Sequence, residues 1–290
     1  MGRFEGNPIL KPMEHHSWES RYVFNPAMIR LGGRIHILYR AMGVDMMSRL
    51  GYASSVDGYN IDERLPYPVF EPATQYEKNG CEDPRLTLLE GRCVMTYTAY
   101  GDIYQIGITT ISIENVLEKR WEWGERYYPF PNIRNKNAVI FPDRVGGRYA
   151  MFHRLDPSIY ISYSEDLRNW SDPRLVMTPR ADSWDSVKIG AASPPVELDD
   201  GWLLIYHGVD ESRTYRLGAA IFDKRSPERI VYRTKEPILE PDEDYERLGF
   251  VPNVVFSCGS VLMGNKLLIS YGGADTVIGV ATFDLSEIIK

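Results

Sequence analysis

The sequence has few of the features that mark nucleic-acid-binding or membrane proteins. It contains no run of lysine and arginine, and its net charge is −7, so polyanions and anionic membranes are poor partners. No stretch approaches the roughly 18 apolar residues of a membrane span, and the opening MGRFEGNPIL lacks the apolar core of a signal peptide. These features predict a cytoplasmic protein without nucleic-acid or membrane partners.

Cysteine is scarce, and the acidic residues show no metal-ligand pattern. Cys81, Cys93 and Cys258 are scattered and odd in number, which argues against a disulfide framework and predicts thiols in the core or near a site. The acids are not clustered with histidine at the spacing of a metal site. We therefore expect no metal and no cofactor.

A weak repeat of glycine followed by an apolar strand runs along the chain. Its five copies begin at glycines 58, 56, 54 and 63 residues apart. The copies are GRIHILYR (33–40), GRCVMTYT (91–98), GRYAMFHR (147–154), GWLLIYHG (201–208) and GNKLLISYGG (264–273). Each copy has a run with strand-like alternation before it and another after it.

The repetition of three strand positions in step predicts the fold class. Five units of about four strands are typical of a propeller, although the period exceeds the roughly 40–50 residues of common propeller repeats. Linkers at 67–72 and 236–244 would supply outer strands, and 113–120 is the best short helix. A β-sandwich or β-helix is the alternative. We predict an all-β fold, with one five-bladed β-propeller domain over residues 1–290.

Unusual polar residues fall where the strands of a propeller would meet at one end of its channel. Those that open first strands are Asn25, Asp83 and Asn137, and those that follow second strands are Arg40, Arg154, His207 and Asp275. Antiparallel neighbours would place these groups at the same end. Cations outnumber acids there, which favours a bound anion such as phosphate. The alternative is a ring of ion pairs, with Glu82 and Arg85 as ordinary surface charges.

Segments in every repeat resemble glycoside hydrolase family 130. They are FNPAMIRLGGRIHILYR (24–40), NGCEDPRLT (79–87), NKNAVIFPD (135–143), HR (153–154), YHG (206–208), YRLGAA (215–220) and YGGADTVIGVAT (271–282). The resemblance covers nearly the whole chain. It implies a five-bladed propeller that acts as an inverting β-mannoside phosphorylase or as a β-mannosidase.

The resemblance also implies roles for individual residues. Asp83 matches the catalytic acid, whose proton would pass through the mannosyl 3-hydroxyl. Phosphate-binding positions match Lys136, Asn137, Lys188, His207 and Tyr215. Mannosyl-binding positions match Asn25, Arg40, Arg154 and Asp275. Lys136 stands where the family often has arginine, and a lysine is a point charge rather than a bidentate fork.

The predicted reaction is the inverting phosphorolysis of a β-mannoside to α-mannose 1-phosphate and a shortened sugar. Inorganic phosphate is the co-substrate, and β-1,2-mannobiose or β-1,2-oligomannosides are favoured over β-1,4-mannooligosaccharides. One alternative is a hydrolytic β-mannosidase, in which a second carboxylate activates water. Another is a sugar-binding propeller without activity. The resemblance is also compatible with a homo-oligomer.

Two sets of residues bear on these alternatives. The spare acids that would serve a hydrolase as base are Glu82, Asp182, Asp185 and Asp210. The loop aromatics that would stack on an acceptor sugar are Trp18, Tyr100, Tyr104 and Trp184.

Overall fold

The computed structural model describes residues 2–288, and these residues are almost entirely β-structure. The described helices are short: α1 (Ile113–Leu117), α2 (Asp244–Arg247), α3 (Leu285–Ile288) and one 3-10 helix (Gln75–Glu77). Helix α1 begins after Ser112, whose hydroxyl accepts a hydrogen bond from the Asn115 N–H, as N-cap residues do. The helix predicted at 113–120 is therefore confirmed over its first five residues.

The strands match the three repeated positions of the sequence. In chain order they are β1 (Gly2–Arg3), β2 (Tyr22–Leu31), β3 (Arg34–Met42), β4 (Ser48–Ser55), β5 (Glu63–Arg64), β6 (Gly80–Leu89), β7 (Arg92–Tyr100), β8 (Tyr104–Ser112), β9 (Lys136–Ile140), β10 (Tyr149–Leu155), β11 (Ser158–Ser164), β12 (Arg174–Met177), β13 (Lys188–Ala191), β14 (Val196–Glu197), β15 (Gly201–Val209), β16 (Tyr215–Asp223), β17 (Ile230–Arg233), β18 (Val255–Met263), β19 (Lys266–Gly273) and β20 (Val277–Asp284).

The strands pair in antiparallel groups, which we number in chain order. The first group is β2–β5, the second β6–β8, the third β9–β12 and the fourth β13–β17. The fifth is β18–β20 with β1 as its outer strand, so the two ends of the described chain meet in one sheet. One parallel pair, Ser48 with Gly80, joins the first two groups into a larger sheet.

Apolar cores lie between successive groups. Leu50 and Tyr97 belong to a core shared by the first and second groups, for example. A further core joins the fifth group to the first, where Leu268 and Val280 pack with Ile37. Consecutive apolar residues such as Ile37 and Leu38 supply the cores on both faces of a group, because successive side chains point to opposite sides.

Some predicted strand positions are wrong. Segment 67–72 contributes only a bridge from Phe70 to Leu50, and segment 236–244 only a bridge from Leu239 to Leu217. The outer strands are instead β5, β12, β17 and β1. The first strand of the fourth group is split into β13 and β14, because Pro194 and Pro195 between them have no N–H to donate to a ladder.

Candidate active site

Three polar residues near the start of their strands share a left-handed backbone. Asn25, Asp83 and Asn137 have φ values of 48°, 50° and 54°. At each of them the pairing with the next strand shifts its register, as in a β-bulge. For residues with a Cβ this conformation costs roughly 1–3 kcal/mol, and such strain concentrates at functional sites.

A polar cavity of about 150 Å³ lies where these strands begin. Its lining residues are Asn25, Arg40, Asp83, Lys136, Arg154, Tyr215, Val251, Val254, Phe256 and Asp275. They come from all five groups of strands or from the loops that join them. Every polar residue among them is one that the sequence predicts for the site. Side chains that are far apart in the chain thus converge on one cavity.

Asp83 is buried in this cavity and is held by neighbours on two other strands. Its Oδ1 accepts a hydrogen bond from Asn25 Nδ2 at 2.8 Å and lies 3.4 Å from Arg40 Nη1. Its backbone carbonyl accepts one from Arg85 Nη1 at 2.8 Å. Arg40 Nη2 also donates to Glu82 Oε1 at 2.6 Å, so one guanidinium serves two acids.

The charges around Asp83 favour its ionised form. Burial disfavours a charged carboxyl here, but Arg40, Lys136 and Arg85 outweigh this effect and hold the pKa of Asp83 below its ordinary value. Burial raises the pKa of the adjacent Glu82, although Arg40 opposes the rise. Asp83 therefore carries a negative charge in this arrangement, and it can donate a proton only when a ligand changes the balance.

Asp275 is the one cavity carboxyl that stays protonated close to neutral pH among the described residues. Burial raises its pKa to about 7, with Arg40 opposing the rise and Asp83 adding to it. A neutral carboxyl can donate as well as accept a hydrogen bond. Asp275 is thus suited to a ligand hydroxyl.

The raised pKa of Asp275 predicts a pH-dependent cost to stability. The folded state binds more protons than the unfolded state between the ordinary value of 3.8 and about 7, so the free energy of unfolding falls as pH rises through that window. Asp275→Asn removes the group, so its stability relative to wild type should grow between pH 5 and pH 8. Urea unfolding at both pH values measures this. An unchanged difference would contradict the assignment.

The side of the cavity towards the third and fourth groups is cationic. Burial and the nearby Arg154 lower the pKa of Lys136, and the negative charge of Asp83 opposes this lowering. Arg154 Nη1 lies 3.4 Å from His207 Nε2, and its Nε lies 2.8 Å from Asp156 Oδ1. Burial and then Arg154 keep the pKa of His207 well below its usual range, so this histidine is neutral.

Several buried polar atoms beside these cations have no partner among the described residues. They include both side-chain heteroatoms of Asn137 and the Nδ1 of His207. Gly190 allows their close approach, since a Cβ there would lie 2.8 Å from Asn137 Oδ1 and 2.5 Å from His207 Cε1. Buried polar groups are normally hydrogen-bonded. Cations with unpartnered hydrogen-bonding atoms fit an anion with several oxygens, such as phosphate.

Lys188 lies outside the cavity, in an adjoining groove of about 620 Å³. Tyr215 and Val251 line both spaces. Lys188 Nζ lies 5.3 Å from the centre of the Tyr215 ring. Tyr215 therefore stands between Lys188 and the residues that surround Asp83, which supports a site role for Tyr215 rather than mere packing.

Sequence reasoning missed Arg85. Its side chain is 1% exposed and donates to the carbonyls of Ala192 at 2.9 Å and Ala191 at 3.2 Å, in addition to that of Asp83. It therefore links the second group of strands to the fourth beside the cavity. The interpretation as a surface charge is wrong because the carbonyls that bury Arg85 lie about a hundred residues away in the chain.

Most spare acids are already paired. Asp185 is fully buried and bonds Arg180 and Arg233, and Asp210 bonds Arg216 at 2.6 Å. Asp182 is exposed and does not line the cavity. Glu82 alone of the four adjoins Asp83, and Arg40 holds it.

The loop aromatics divide in the same way. Trp18 packs 6.5 Å from the Tyr39 ring, and Trp184 packs 5.5 Å from the Tyr206 ring, both within groups of strands. Tyr104, by contrast, has its ring centre 5.0 Å from Lys136 Nζ. Its ring lies 6.2 Å from that of Tyr100, which is partly exposed. Of the four loop aromatics, Tyr104 is therefore the one beside a cavity residue, and Tyr100 adjoins it.

Within residues 2–288, no cluster of three or more His, Cys, Asp or Glu side chains could hold a metal ion. Over the same residues, every helix is too short or too polar to cross a membrane. All three cysteines are buried and unpaired, as predicted.

Comparison with known proteins extends the resemblance to the whole chain. The model of the GH130 family described as beta-1,4-mannooligosaccharide phosphorylase matches residues 1–290. The 1,2-beta-oligomannan phosphorylase of Thermoanaerobacter sp. (strain X514) is 40% identical over 295 residues, with 99% of this chain and 98% of the relative covered.

Solved structures have the same fold. The beta-1,2-mannobiose phosphorylase from Listeria innocua, in complex with beta-1,2-mannobiose, superposes with a TM-score of 0.87 at 27% identity, covering 99% of this chain and 97% of that one. A structure from work on GH130 glycoside hydrolases that target beta-1,2 mannosidic linkages in Candida mannan gives 0.89 at 30% identity, covering 98% and 93%. This chain belongs to glycoside hydrolase family 130.

Proposed function

We propose that this protein catalyses the inverting phosphorolysis of β-mannosides, releasing α-mannose 1-phosphate and a shortened sugar. The observation that carries the proposal is the cationic side of the cavity. There Lys136 and Arg154 adjoin the unpartnered atoms of Asn137 and His207. Phosphate is already a nucleophile, so a phosphorylase needs cations to position it rather than a second carboxylate to activate water.

We also infer that the five groups of strands are the blades of a propeller. Cores between successive groups, and between the fifth and the first, are consistent with a closed ring. A cavity lined from every group supports a site at one end of the central channel. Such a ring folds as a single domain.

In the proposed complex, the mannosyl ring occupies the cavity beside Asp83. Asn25, Arg40 and Asp275 hydrogen-bond its hydroxyls, and Asp275 donates as well as accepts when protonated. Asp83 supplies the proton to the leaving sugar, relayed by the mannosyl 3-hydroxyl as the family resemblance implies. Asn25 orients the carboxyl of Asp83 through their 2.8 Å hydrogen bond.

Phosphate binds on the cationic side, where Lys136, Asn137, Lys188, His207 and Tyr215 receive it. Arg154 was predicted to bind the mannosyl ring, but its contact with His207 favours a position facing the phosphate as well. The negative charge of phosphate would offset the cations that keep Asp83 ionised. Phosphate binding should therefore raise the pKa of Asp83 and favour the protonated acid that the reaction requires.

The preferred linkage is proposed from the relatives. The 40% identical protein from Thermoanaerobacter is named for 1,2-beta-oligomannan, and the Listeria structure contains beta-1,2-mannobiose. We therefore favour β-1,2-mannobiose or β-1,2-oligomannosides as substrates, with β-1,4-mannooligosaccharides second. We further propose that the reaction needs no cofactor and takes place in the cytoplasm.

Hydrolysis is the second candidate, because a GH130 structure with a TM-score of 0.89 comes from work on hydrolases. It would need a carboxylate base opposite the acid. Pairing of Asp185 and Asp210 with arginines leaves Glu82 and Asp275 as the carboxyls near Asp83. Arg40 bonds Glu82 and also acts on the charge of Asp275, opposing the rise in the pKa of each. Neither carboxyl is therefore a free base.

Lys188→Ala tests the phosphate side of the proposal. Removing this ammonium should raise KM for phosphate about tenfold, with KM for the mannoside nearly unchanged. A hydrogen bond to a charged group contributes roughly 1.5–3 kcal/mol, and about 1.4 kcal/mol corresponds to a tenfold change. Initial rates at varied phosphate measure the effect. Lys235→Ala, a lysine outside the cavity and its adjoining groove, is the matched control. Equal effects of the two substitutions would contradict a phosphate role for Lys188.

A further inference from the structure

Four of the five groups contain the same buried arrangement within the described residues. A carboxylate accepts a hydrogen bond from the tyrosine near the end of the second long strand and pairs with an arginine from an outer segment. The members are Glu19, Tyr39 and Arg64; Glu77, Tyr97 and Arg126; Asp185, Tyr206 and Arg233; and Glu246, Tyr271 and Arg3. We refer to each set as an acid–tyrosine–arginine cluster.

A glycine accompanies the tyrosine in each cluster. The residues opposite the four tyrosines in the next strand are Gly51, Gly107, Gly218 and Gly279. A Cβ on Gly51 would lie 2.4 Å from the ring of Tyr39, so only glycine leaves room for the ring. The cluster is therefore a repeated structural unit and not a coincidence of surface charges.

The third group is the exception. His153 occupies the tyrosine position, and Tyr160 lies opposite it in place of glycine. His153 is fully buried, with Nδ1 3.1 Å from Asn135 Oδ1 and Nε2 3.0 Å from Ser162 Oγ. Burial lowers its pKa to about 3, so the ring is neutral. The ring in this group thus contacts an amide rather than a carboxylate, and the amide comes from the residue directly before the first strand.

The exception lies directly behind the cationic side of the cavity. His153 precedes Arg154 in strand β10, and Asn135 precedes Lys136 and Asn137 at the start of β9. One hydrogen bond between His153 and Asn135 therefore links the two segments that carry these cations. The Asn135 N–H also donates to the carbonyl of Tyr104 at 3.2 Å, next to the ring that contacts Lys136.

Charge gives a physical reason for the difference. A carboxylate at position 135 would be buried beside Lys136 and Arg154, where low dielectric strengthens every charge interaction. It would attract those cations to itself and repel an incoming phosphate. A neutral histidine–amide pair fixes the same two strands without adding negative charge.

We propose that His153 and Asn135 are positioning residues for phosphate use, a neutral pair that sets Lys136, Asn137 and Arg154 in place for the anion. This inference rests on the proposed phosphorolysis. Neither residue lines the cavity, so each acts through its neighbour in the chain.

Asn135→Asp tests the proposal, since it replaces the amide that contacts His153 by a carboxylate with almost no change in shape. KM for phosphate should rise about tenfold or more, and KM for β-1,2-mannobiose should stay within about twofold, because the added charge faces the phosphate side. Ser162→Ala removes the other hydrogen bond of His153 without a charge and should raise KM for phosphate by a smaller factor. It decides the matter if Asn135→Asp does not fold.

Tyr97→Phe is the matched control. It deletes an equally buried hydrogen bond, to Glu77 at 2.5 Å, in the second group. It should lower the melting temperature and leave KM for phosphate unchanged. An unchanged KM for phosphate in folded Asn135→Asp would overturn the inference. If that variant does not fold, an unchanged KM for phosphate in Ser162→Ala would do so. A change in KM for phosphate no larger than that of Tyr97→Phe would also overturn it. Failure of the proposed function is distinguishable, because wild type would then form no mannose 1-phosphate in the same assay.

Discussion

Asp83→Asn should lower kcat for phosphorolysis by roughly 10²–10⁴-fold, the range that a positioned general acid contributes. An asparagine amide keeps the size of the side chain but cannot deliver a proton to the leaving sugar. The fold should survive, because Arg40 keeps its bond to Glu82, and Arg85 bonds the backbone of residue 83 rather than its side chain. Steady-state rates and melting temperatures measure both parts of the prediction.

The leaving group provides a control for this result. An aryl β-mannoside with an acidic phenol, such as 4-nitrophenyl β-mannoside, needs little help from a proton donor. The loss caused by Asp83→Asn should therefore shrink with that substrate if it is accepted. Near-wild-type turnover of mannobiose by Asp83→Asn would exclude Asp83 as the acid. An equal loss with both substrates would indicate a binding role instead.

The second large effect concerns stability. Arg3→Met should lower the free energy of unfolding by about 3 kcal/mol, because it leaves the fully buried carboxylate of Glu246 without its ion pair. Arg3 makes two bonds to that carboxylate, at 2.8 and 2.9 Å, and lies in the strand that joins the beginning of the chain to the fifth group.

Urea unfolding measures this effect, with Arg120→Met as the control. Arg120 is about half exposed and pairs with Glu114 and Glu118 on the surface, so its loss should cost less than about 1 kcal/mol. A loss in Arg3→Met no larger than in Arg120→Met would show that the junction between β1 and the fifth group contributes little to stability.

The repeated strands could be predicted because their signal is local. Each copy of the repeat carries its own glycine, alternation and terminal tyrosine or histidine, and the structure has strands at all three repeated positions. The outer strands could not be predicted in the same way. They are two to four residues long, and prolines such as Pro68 and Pro237 interrupt the more apolar segments nearby.

The site shows the same limit at the level of side chains. Asn25, Asp83 and Asn137 could be found because they open strands in register with one another. Arg85 could not, since its partners Ala191 and Ala192 are distant in sequence. The acid–tyrosine–arginine clusters were also missed, although glycine opposite each tyrosine left a signal in the third strand of four repeats.

Product analysis tests the central claim most directly. Purified protein would be incubated with β-1,2-mannobiose, with and without inorganic phosphate, and the products followed by ³¹P and ¹H NMR. The proposed function predicts α-mannose 1-phosphate and mannose in equal amounts, formed only when phosphate is present. Release of free mannose alone, at the same rate with or without phosphate, would contradict it and identify the protein as a hydrolase.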